Sequence, residues 1–214
     1  QLADLKQPRM AVYPNTLSNA YTQENIDTQI GGILGLVRVK PASWETAVQV
    51  DFFAVVNSRF SQRDFLVGTD YRFGFSVTFA WGPWHAKVSY EHTSTHLGEE
   101  TMVRTGRPPF DYIKDEVVLG LGRYWCDRRV RVYGQAAWAF FQYVPGDPSP
   151  FRFDVGAEWV RRRATGWTGQ PFAATNLEFN GSTGYDANFT LQLGWMWRDP
   201  CRRLAQVRVF GEYY

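Results

Sequence analysis

The sequence predicts an all-β fold, and within that class an antiparallel transmembrane β-barrel of roughly 10–12 strands. The first supporting observation is a period-two alternation of apolar and polar residues from residue 30 to the end of the 214-residue chain. The second is that several alternating runs are much longer than the roughly five or six residues of an average strand. The third is an aromatic content of 17%, with nine tryptophans, which is typical of the aromatic girdles of membrane barrels.

Individual runs have one apolar face and one polar face. In "ETAVQVDFFAVV", Val48, Val50 and Phe52 lie on one face, and Gln49 and Asp51 lie on the other. The runs "DYRFGFSVTFAW", "RFDVGAEW" and "NFTLQLGWMW" divide in the same way. A transmembrane strand needs roughly 9–11 residues with apolar side chains toward lipid and polar ones toward the lumen. These runs meet that requirement.

The alternation predicts strands at residues 30–40, 45–57, 65–81, 85–97, 114–125, 129–143, 151–162, 171–180, 186–198 and 203–214. Short turns such as "GPW" and "CDR" connect them at one end, and longer segments, above all 98–113, connect them at the other. Tryptophans cluster beside the short turns, as an interfacial belt would: Trp44, Trp81, Trp84, Trp125, Trp195 and Trp197. We therefore expect the short-turn end to be periplasmic and the long-loop end to be extracellular.

The assignment of the two barrel ends constrains the number of strands. Ten strands would leave both chain ends at the long-loop end, against the usual arrangement. The stretch "PRMAVYP" therefore predicts an extra first strand within the N-terminal segment 1–29, with 15–29 as the loop after it. A twelve-strand barrel whose last strand is missing from the sequence is the favoured count. Inverted polarity, or ten strands with atypical ends, are the alternatives. Residues 1–214 are expected to form one barrel domain.

Composition excludes several classes of protein. The net charge of +2 is too small to suggest a nucleic-acid binder, and no nucleic-acid partner is expected. No run approaches the roughly 18 apolar residues of a spanning helix. No N-terminal segment has the pattern of a signal peptide, so we expect that one either has been removed or never existed, and the start at Gln1 favours removal. Cys126 and Cys201 match no metal or redox spacing. They are expected to be incidental thiols.

Charged residues of both signs are predicted to face the interior. They are Arg38, Lys40, Glu45, Asp51, Asp70, Arg72, Lys87, Glu91, Arg131, Arg152, Asp154, Glu158, Glu178, Arg208 and Glu212. In a barrel of this size such residues would pair across the lumen and fill it. The pattern therefore disfavours a wide pore.

The stretch "YEHTSTHLGEE" carries the candidate site. Alternation places His92, Ser94 and His96 on the lipid-facing side, where polar groups are costly. One explanation is a position at headgroup level, where such residues are tolerated. The other is nucleophilic catalysis, because a histidine near a serine on one strand face can activate its hydroxyl, given an acid or amide that orients the imidazole.

Asp115 is the candidate orienting acid, since alternation in "IKDEVVLGLG" places it on the same face of the next strand. A hairpin closing across residues 98–113 is expected to bring Asp115 opposite His96 rather than His92, which gives a triad of Ser94, His96 and Asp115. Glu99 and Glu100 in the loop are expected to be solvated surface or a Ca²⁺ contact. No other cofactor is expected.

Several segments together resemble an uncharacterised family of bacterial outer-membrane barrels, filed as a domain of unknown function. These segments are "QPRMAVYP", "YEHTSTHLGEE", "FDYIKDEVVLGLGRYW" and "VRVFGEYY", and the likeness covers most of the chain. The resemblance implies an outer-membrane fold in a Gram-negative type of envelope, with a chain that continues beyond "GEYY". It supplies no established activity and no catalytic residues.

The pair His92 and Ser94 is locally similar to the His-x-Ser pair of outer-membrane phospholipase A and lipid A deacylase, which attack acyl esters in the outer leaflet. That similarity implies Ser94 as nucleophile and His92 as general base. The sequence departs from those enzymes after the serine, where Thr95 and His96 replace their Asn-Gly.

Three functions follow as hypotheses. The first is a noncatalytic integral component of the outer membrane, in contact with lipid and serving as an anchor for an envelope protein partner. The second is a lipid acyl hydrolase acting on outer-leaflet lipid through Ser94 with His92 or His96, with Ca²⁺ as its conceivable cofactor. The third is a narrow solute channel. A soluble ligand-binding barrel is a more distant alternative.

Overall fold

The structure of the chain is a computed structural model, which describes residues 2–3, 6–17, 23–40, 46–61, 66–106, 111–161, 168–198 and 206–213. It contains eleven strands and one short α-helix within those residues. The strands are β1 Ala11–Leu17, β2 Gln23–Val39, β3 Thr46–Ser61, β4 Leu66–Trp81, β5 Trp84–Leu97, β6 Asp111–Trp125, β7 Val130–Tyr143, β8 Phe151–Val160, β9 Gln170–Asn180, β10 Ala187–Arg198 and β11 Gln206–Tyr213. The helix, α1, spans Glu99–Thr105.

All eleven strands form one antiparallel sheet in which each strand pairs with its neighbours in sequence. The predicted all-β class and each of the ten predicted strands are confirmed, and the extra first strand predicted from "PRMAVYP" is present as β1. Within the described residues, no backbone pairing joins β1 to β11. None of the described helices is long and apolar enough to cross a membrane.

The predicted loop at residues 15–29 is wrong, because β2 already begins at Gln23 and pairs with β1 from there. At the start of β2, the polar residues Asn25 and Gln29 lie on the buried side of the strand. Ile26 and Ile30 lie on the exposed side. A buried face made of amides has the composition of a loop. The alternation of apolar and polar residues therefore predicts this strand only from residue 30, where apolar residues become frequent.

The two faces of the sheet have inverted polarity relative to a soluble protein. On one face, here called the apolar face, large hydrophobic side chains are open: Leu119 is 55% exposed and Val155 is 50% exposed. On the other, the polar face, charged side chains are covered: Glu116 is 4% exposed and Arg152 is 2% exposed. Charged residues are almost never this buried unless they are paired. The sheet therefore encloses its polar face and presents its apolar face outward.

Ion pairs connect the buried charges of the polar face. Arg152 on β8 lies at the centre, with Nη1 2.5 Å from Asp154 Oδ2 and Nη2 3.5 Å from Glu116 Oε2 and 3.9 Å from Glu91 Oε2. Lys114 Nζ adds a contact of 3.4 Å to Glu116 Oε1. Lys87 Nζ lies 3.6 Å from Glu91 Oε1, so three cations face three carboxylates across strands β5, β6 and β8. This agrees with the predicted mixture of inward-facing charges.

A small apolar cluster also lies on the polar face. Its buried members are Leu2, Ala3, Phe172, Ala174 and Met196. The first residues of the chain hold this position through polar contacts: the Leu2 amide donates to Glu158 Oε1 at 2.5 Å, and the Lys6 ammonium pairs with Glu178. The N-terminal segment therefore covers part of the polar face.

The connection between β5 and β6 contains α1, a helix that the sequence did not predict. Gly98 precedes the helix and its amide donates to Val67 O at 3.0 Å, while Thr101 Oγ1 donates to Leu66 O at 3.0 Å. The helix ends at Gly106, whose φ of 65° is left-handed, a conformation that glycine adopts at little cost. These contacts fix α1 against the start of β4.

Candidate functional site

The candidate residues of β5 occupy the half of the strand that leads to α1, and they lie on the apolar face, as alternation predicted. His92 pairs with Phe73 on β4, and Ser94 pairs with Tyr71. Both aromatic partners are exposed, at 42% and 47%. The two histidines and the serine therefore belong to an open aromatic surface.

His92 and Asp115 form one pair. The register places them directly opposite each other on β5 and β6, and His92 Nδ1 lies 2.8 Å from Asp115 Oδ1. The Tyr90 hydroxyl donates to the same oxygen at 2.7 Å, and the His92 ring packs on Phe73 with a centroid distance of 4.8 Å. Asp115 thus holds the imidazole in a fixed orientation, because a carboxylate at Nδ1 selects one tautomer.

The prediction that Asp115 lies opposite His96 is wrong. The strand β6 begins at Asp111, three residues earlier than predicted, and the ladder pairs His96 with Asp111 and His92 with Asp115. Because β6 starts earlier, Asp115 lies four residues further from the hairpin connection than Asp111, and it stays on the same face of the sheet. The triad of Ser94, His96 and Asp115 therefore does not form.

Ser94 and His96 form a second pair on the same strand. Ser94 Oγ lies 2.9 Å from His96 Nε2, and the His96 ring meets Tyr71 edge-on at a centroid distance of 5.9 Å. A serine hydroxyl within hydrogen-bond reach of an imidazole nitrogen is the core of an activated nucleophile. The geometry assigns His96, rather than His92, as the partner of the serine.

The four candidate residues therefore divide into two hydrogen-bonded pairs. Tyr90 is the contributor that the sequence did not single out, although its position two residues before His92 placed it on the same face. The third histidine, His85, lies near the short-turn end of β5 and packs edge-on against Tyr124. Its position on the polar face agrees with the predicted alternation.

A comparison with protein families identifies the family of this chain. The model of the family described as Protein of unknown function (DUF1207) matches residues 5–214. The chain belongs to this family. The predicted membership of an uncharacterised family is thus confirmed across nearly the whole chain. No curated protein and no solved structure matches the DUF1207 chain.

The described part of this DUF1207 chain contains no cluster of metal-ligating side chains. Among those residues, no group of three or more His, Cys, Asp or Glu side chains could hold a metal ion. Glu99 and Glu100, the candidates for a Ca²⁺ contact, are exposed at the start of α1. Cys126 is exposed in the turn after β6, and Cys201 and Trp44 lie outside the described residues.

Proposed function

We propose that the protein is an integral β-barrel of a bacterial outer membrane, and that it acts as a noncatalytic envelope component with a filled polar lumen. The observation that carries the proposal is the inverted burial of the single sheet. Polar groups without a partner are costly in lipid, and a sheet can span a bilayer only when its apolar side chains face outward and its edges are closed. The exposed apolar face and the covered charges of the polar face meet the first condition.

Contacts between the two edge strands support closure. Tyr13 on β1 packs edge-on against Phe210 on β11 with a centroid distance of 5.8 Å. The Arg9 guanidinium lies 5.9 Å from the centroid of the Phe210 ring. The sheet therefore curls far enough to bring its first and last strands into side-chain contact, which is the arrangement that a barrel requires.

The distribution of tryptophan supports an orientation. Trp81, Trp84 and Trp125 all lie at the short-turn ends of their strands. Tryptophan is enriched at membrane interfaces because its ring is amphipathic. We place this end at the periplasmic interface and the end with α1 at the cell surface, where longer loops are usual.

Ion pairs and the N-terminal segment argue against an open pore. Arg152 and its carboxylates occupy the middle of the polar face, and Lys6 pairs with Glu178 from the N-terminal segment. Side chains that neutralise one another across a small lumen narrow any water path through it. An anchor for an envelope protein fits this better than a channel does.

Membrane insertion and conductance test the proposal together. We expect the purified protein to need detergent, to insert into phospholipid vesicles, and to give no discrete conductance in a planar bilayer. Steady unitary currents from inserted protein would support the narrow channel instead. Purification as a monodisperse protein without detergent would contradict the membrane assignment. Vesicles without protein and a porin of known conductance serve as controls.

A second candidate function, acyl-ester hydrolysis of outer-leaflet lipid, is favoured by the 2.9 Å contact between Ser94 Oγ and His96 Nε2 on the apolar face. In this reaction Ser94 Oγ attacks the ester carbonyl and His96 Nε2 takes its proton. The alcohol then leaves with that proton, and an acyl-serine remains. Water activated by His96 releases the fatty acid and restores the serine.

Mass spectrometry of lipids incubated with the protein, with and without Ca²⁺, tests this candidate. We expect Ser94→Ala to reduce acyl release to the rate without protein and His96→Gln to reduce it by about 10²–10⁴-fold, the usual contribution of a general base. Thr93→Ala, a hydroxyl change on the opposite face of β5, is the matched control and should keep full turnover.

His92→Gln separates the two histidines. Because His92 bonds Asp115 rather than Ser94, this variant should retain turnover. Loss of activity in His92→Gln with full activity in His96→Gln would contradict the assignment of His96 as the base. The absence of released acyl chains from folded wild-type protein would remove the hydrolase candidate and leave the noncatalytic proposal standing.

A further inference from the structure

Two adjoining cavities lie on the polar face at the short-turn end of the sheet. Their volumes are about 220 Å³ and about 230 Å³, and His85, Tyr124 and Arg131 line both. Each volume is below the roughly 300–1,000 Å³ of a pocket for a drug-sized ligand. Their size therefore suits a small ligand or the head of a larger one.

Cationic side chains line both cavities. Arg128 and Arg129 from the turn after β6 join Arg131 around the first cavity, and Lys87 lines the second. Among the described residues that line either cavity, Glu158 is the single acid. The walls thus carry an excess of positive charge.

Lys87 already pairs with Glu91 at 3.6 Å, but existing contacts leave most of the arginine charge uncompensated. Glu158 Oε2 lies 3.6 Å from Arg131 Nη1, while Glu158 Oε1 accepts the hydrogen bond from the Leu2 amide. Arg128 Nη2 donates to the Gly82 carbonyl oxygen at 3.2 Å, which fixes the guanidinium without neutralising it. One carboxylate therefore faces three guanidinium groups.

Two buried nitrogen atoms of the lining add an independent observation. His85 Nε2 and Arg131 Nε are shielded from solvent and have no hydrogen-bond partner among the described residues. A buried polar atom left without a partner costs about 1–3 kcal/mol, and such atoms call for an explanation. Both atoms are covered by protein, so a ligand acceptor in the shared region of the cavities satisfies them only when the two side chains rotate toward it.

We propose that these cavities form a binding site for a phosphate group, held by Arg128, Arg129 and Arg131 with His85 at its inner wall. Guanidinium groups match phosphate oxygens in geometry and bind them in bidentate fashion. Three guanidinium groups against one carboxylate suit the double negative charge of a phosphate monoester better than the single charge of a carboxylate. The phosphate belongs to a soluble phosphorylated solute or to a lipid headgroup.

Isothermal titration of the detergent-solubilised protein with inorganic phosphate tests the site. We expect saturable binding that weakens as the salt concentration rises, because salt screens the attraction. The double variant Arg128→Gln/Arg129→Gln should weaken it by about tenfold or more, the effect of losing at least one charge-assisted contact. Arg161→Gln, which changes an exposed arginine outside both cavity walls, should bind like wild type.

Parallel titrations identify the source of the phosphate. Tight binding of inorganic phosphate or glycerol phosphate supports a soluble solute. Binding of phosphatidic acid, a lipid whose headgroup is a phosphate monoester, in mixed micelles, lost in the double variant, supports a headgroup. Acetate binding as tight as phosphate, or phosphate binding that survives in the double variant, would overturn the proposal.

His85→Gln, a change without loss of an arginine, keeps the test decisive if the double variant does not fold. We expect weaker phosphate binding from this variant with an unchanged circular dichroism spectrum. Wild-type affinity in folded His85→Gln would count against the inner wall of the site and overturn the assignment of that residue.

Discussion

Replacing Arg152 by methionine is expected to destabilise the protein by about 3–5 kcal/mol, the usual cost of removing one partner from a buried charge network. Arg152 is 2% exposed and contacts Asp154, Glu116 and Glu91 at 2.5, 3.5 and 3.9 Å. Methionine has a similar length but no charge, so the substitution leaves three buried carboxylates with Lys114 and Lys87 as their remaining ion-pair cations. Reversible urea unfolding of the protein in phospholipid vesicles measures the loss.

Arg161→Met is the matched control, because Arg161 follows the same strand and is exposed. A surface change of this kind is usually within about 0.5 kcal/mol of wild type. Adding Asp154→Asn to Arg152→Met removes one of the three carboxylates that Arg152 contacts and should recover part of the lost stability. Equal midpoints for Arg152→Met and Arg161→Met would mean that the carboxylates are hydrated, and the filled lumen would have to be abandoned.

Alternation predicted the sheet well because each strand separates two different environments. A period of two places every second residue on one face, so apolar and polar residues identified β3 to β11 within a few residues. The start of β2 lacks this apolar and polar contrast, because Asn25 and Gln29 form its buried side. The helix α1 also lacks a sequence signal, because contacts to β4, rather than an apolar stripe, hold its seven residues.

The candidate site was predicted in its face but not in its pairing. Alternation alone placed His92, Ser94, His96 and Asp115 on one surface, which the register of β5 and β6 confirms. Which histidine meets Asp115 depends on where the hairpin closes, and residues 98–110 contain a helix that sequence patterns did not indicate. When the register of two strands shifts by four residues, a side chain meets a different partner but stays on the same face of the sheet. Asp115 therefore meets His92 instead of His96. Only the three-dimensional structure shows which pairs form.

Replacing Leu119 by arginine is expected to destabilise a membrane-inserted protein by about 2–4 kcal/mol, the cost of a cation on the lipid-facing side at the bilayer midplane. Leu119 lies near the centre of β6, is 55% exposed, and pairs with Val88 and Ala136, so no acid lies directly opposite it. In a soluble protein a side chain this open would accept arginine within about 0.5 kcal/mol. The same urea unfolding in vesicles therefore distinguishes lipid from water around the apolar face.

Depth along the strands provides the control for Leu119→Arg. Val207 is 65% exposed at the short-turn start of β11 and pairs with Trp197, so Val207→Arg would lie in the aromatic belt and cost only about 0–1 kcal/mol. Val103→Arg on α1, at a residue 85% exposed, lies outside the strands and should leave stability unchanged within about 0.5 kcal/mol. A large loss at Leu119 with small losses at Val207 and Val103 requires a low-dielectric layer around the middle of the sheet. Equal, small losses at all three positions would mean that water surrounds the apolar face, and the outer-membrane barrel would be the wrong assignment for this sheet.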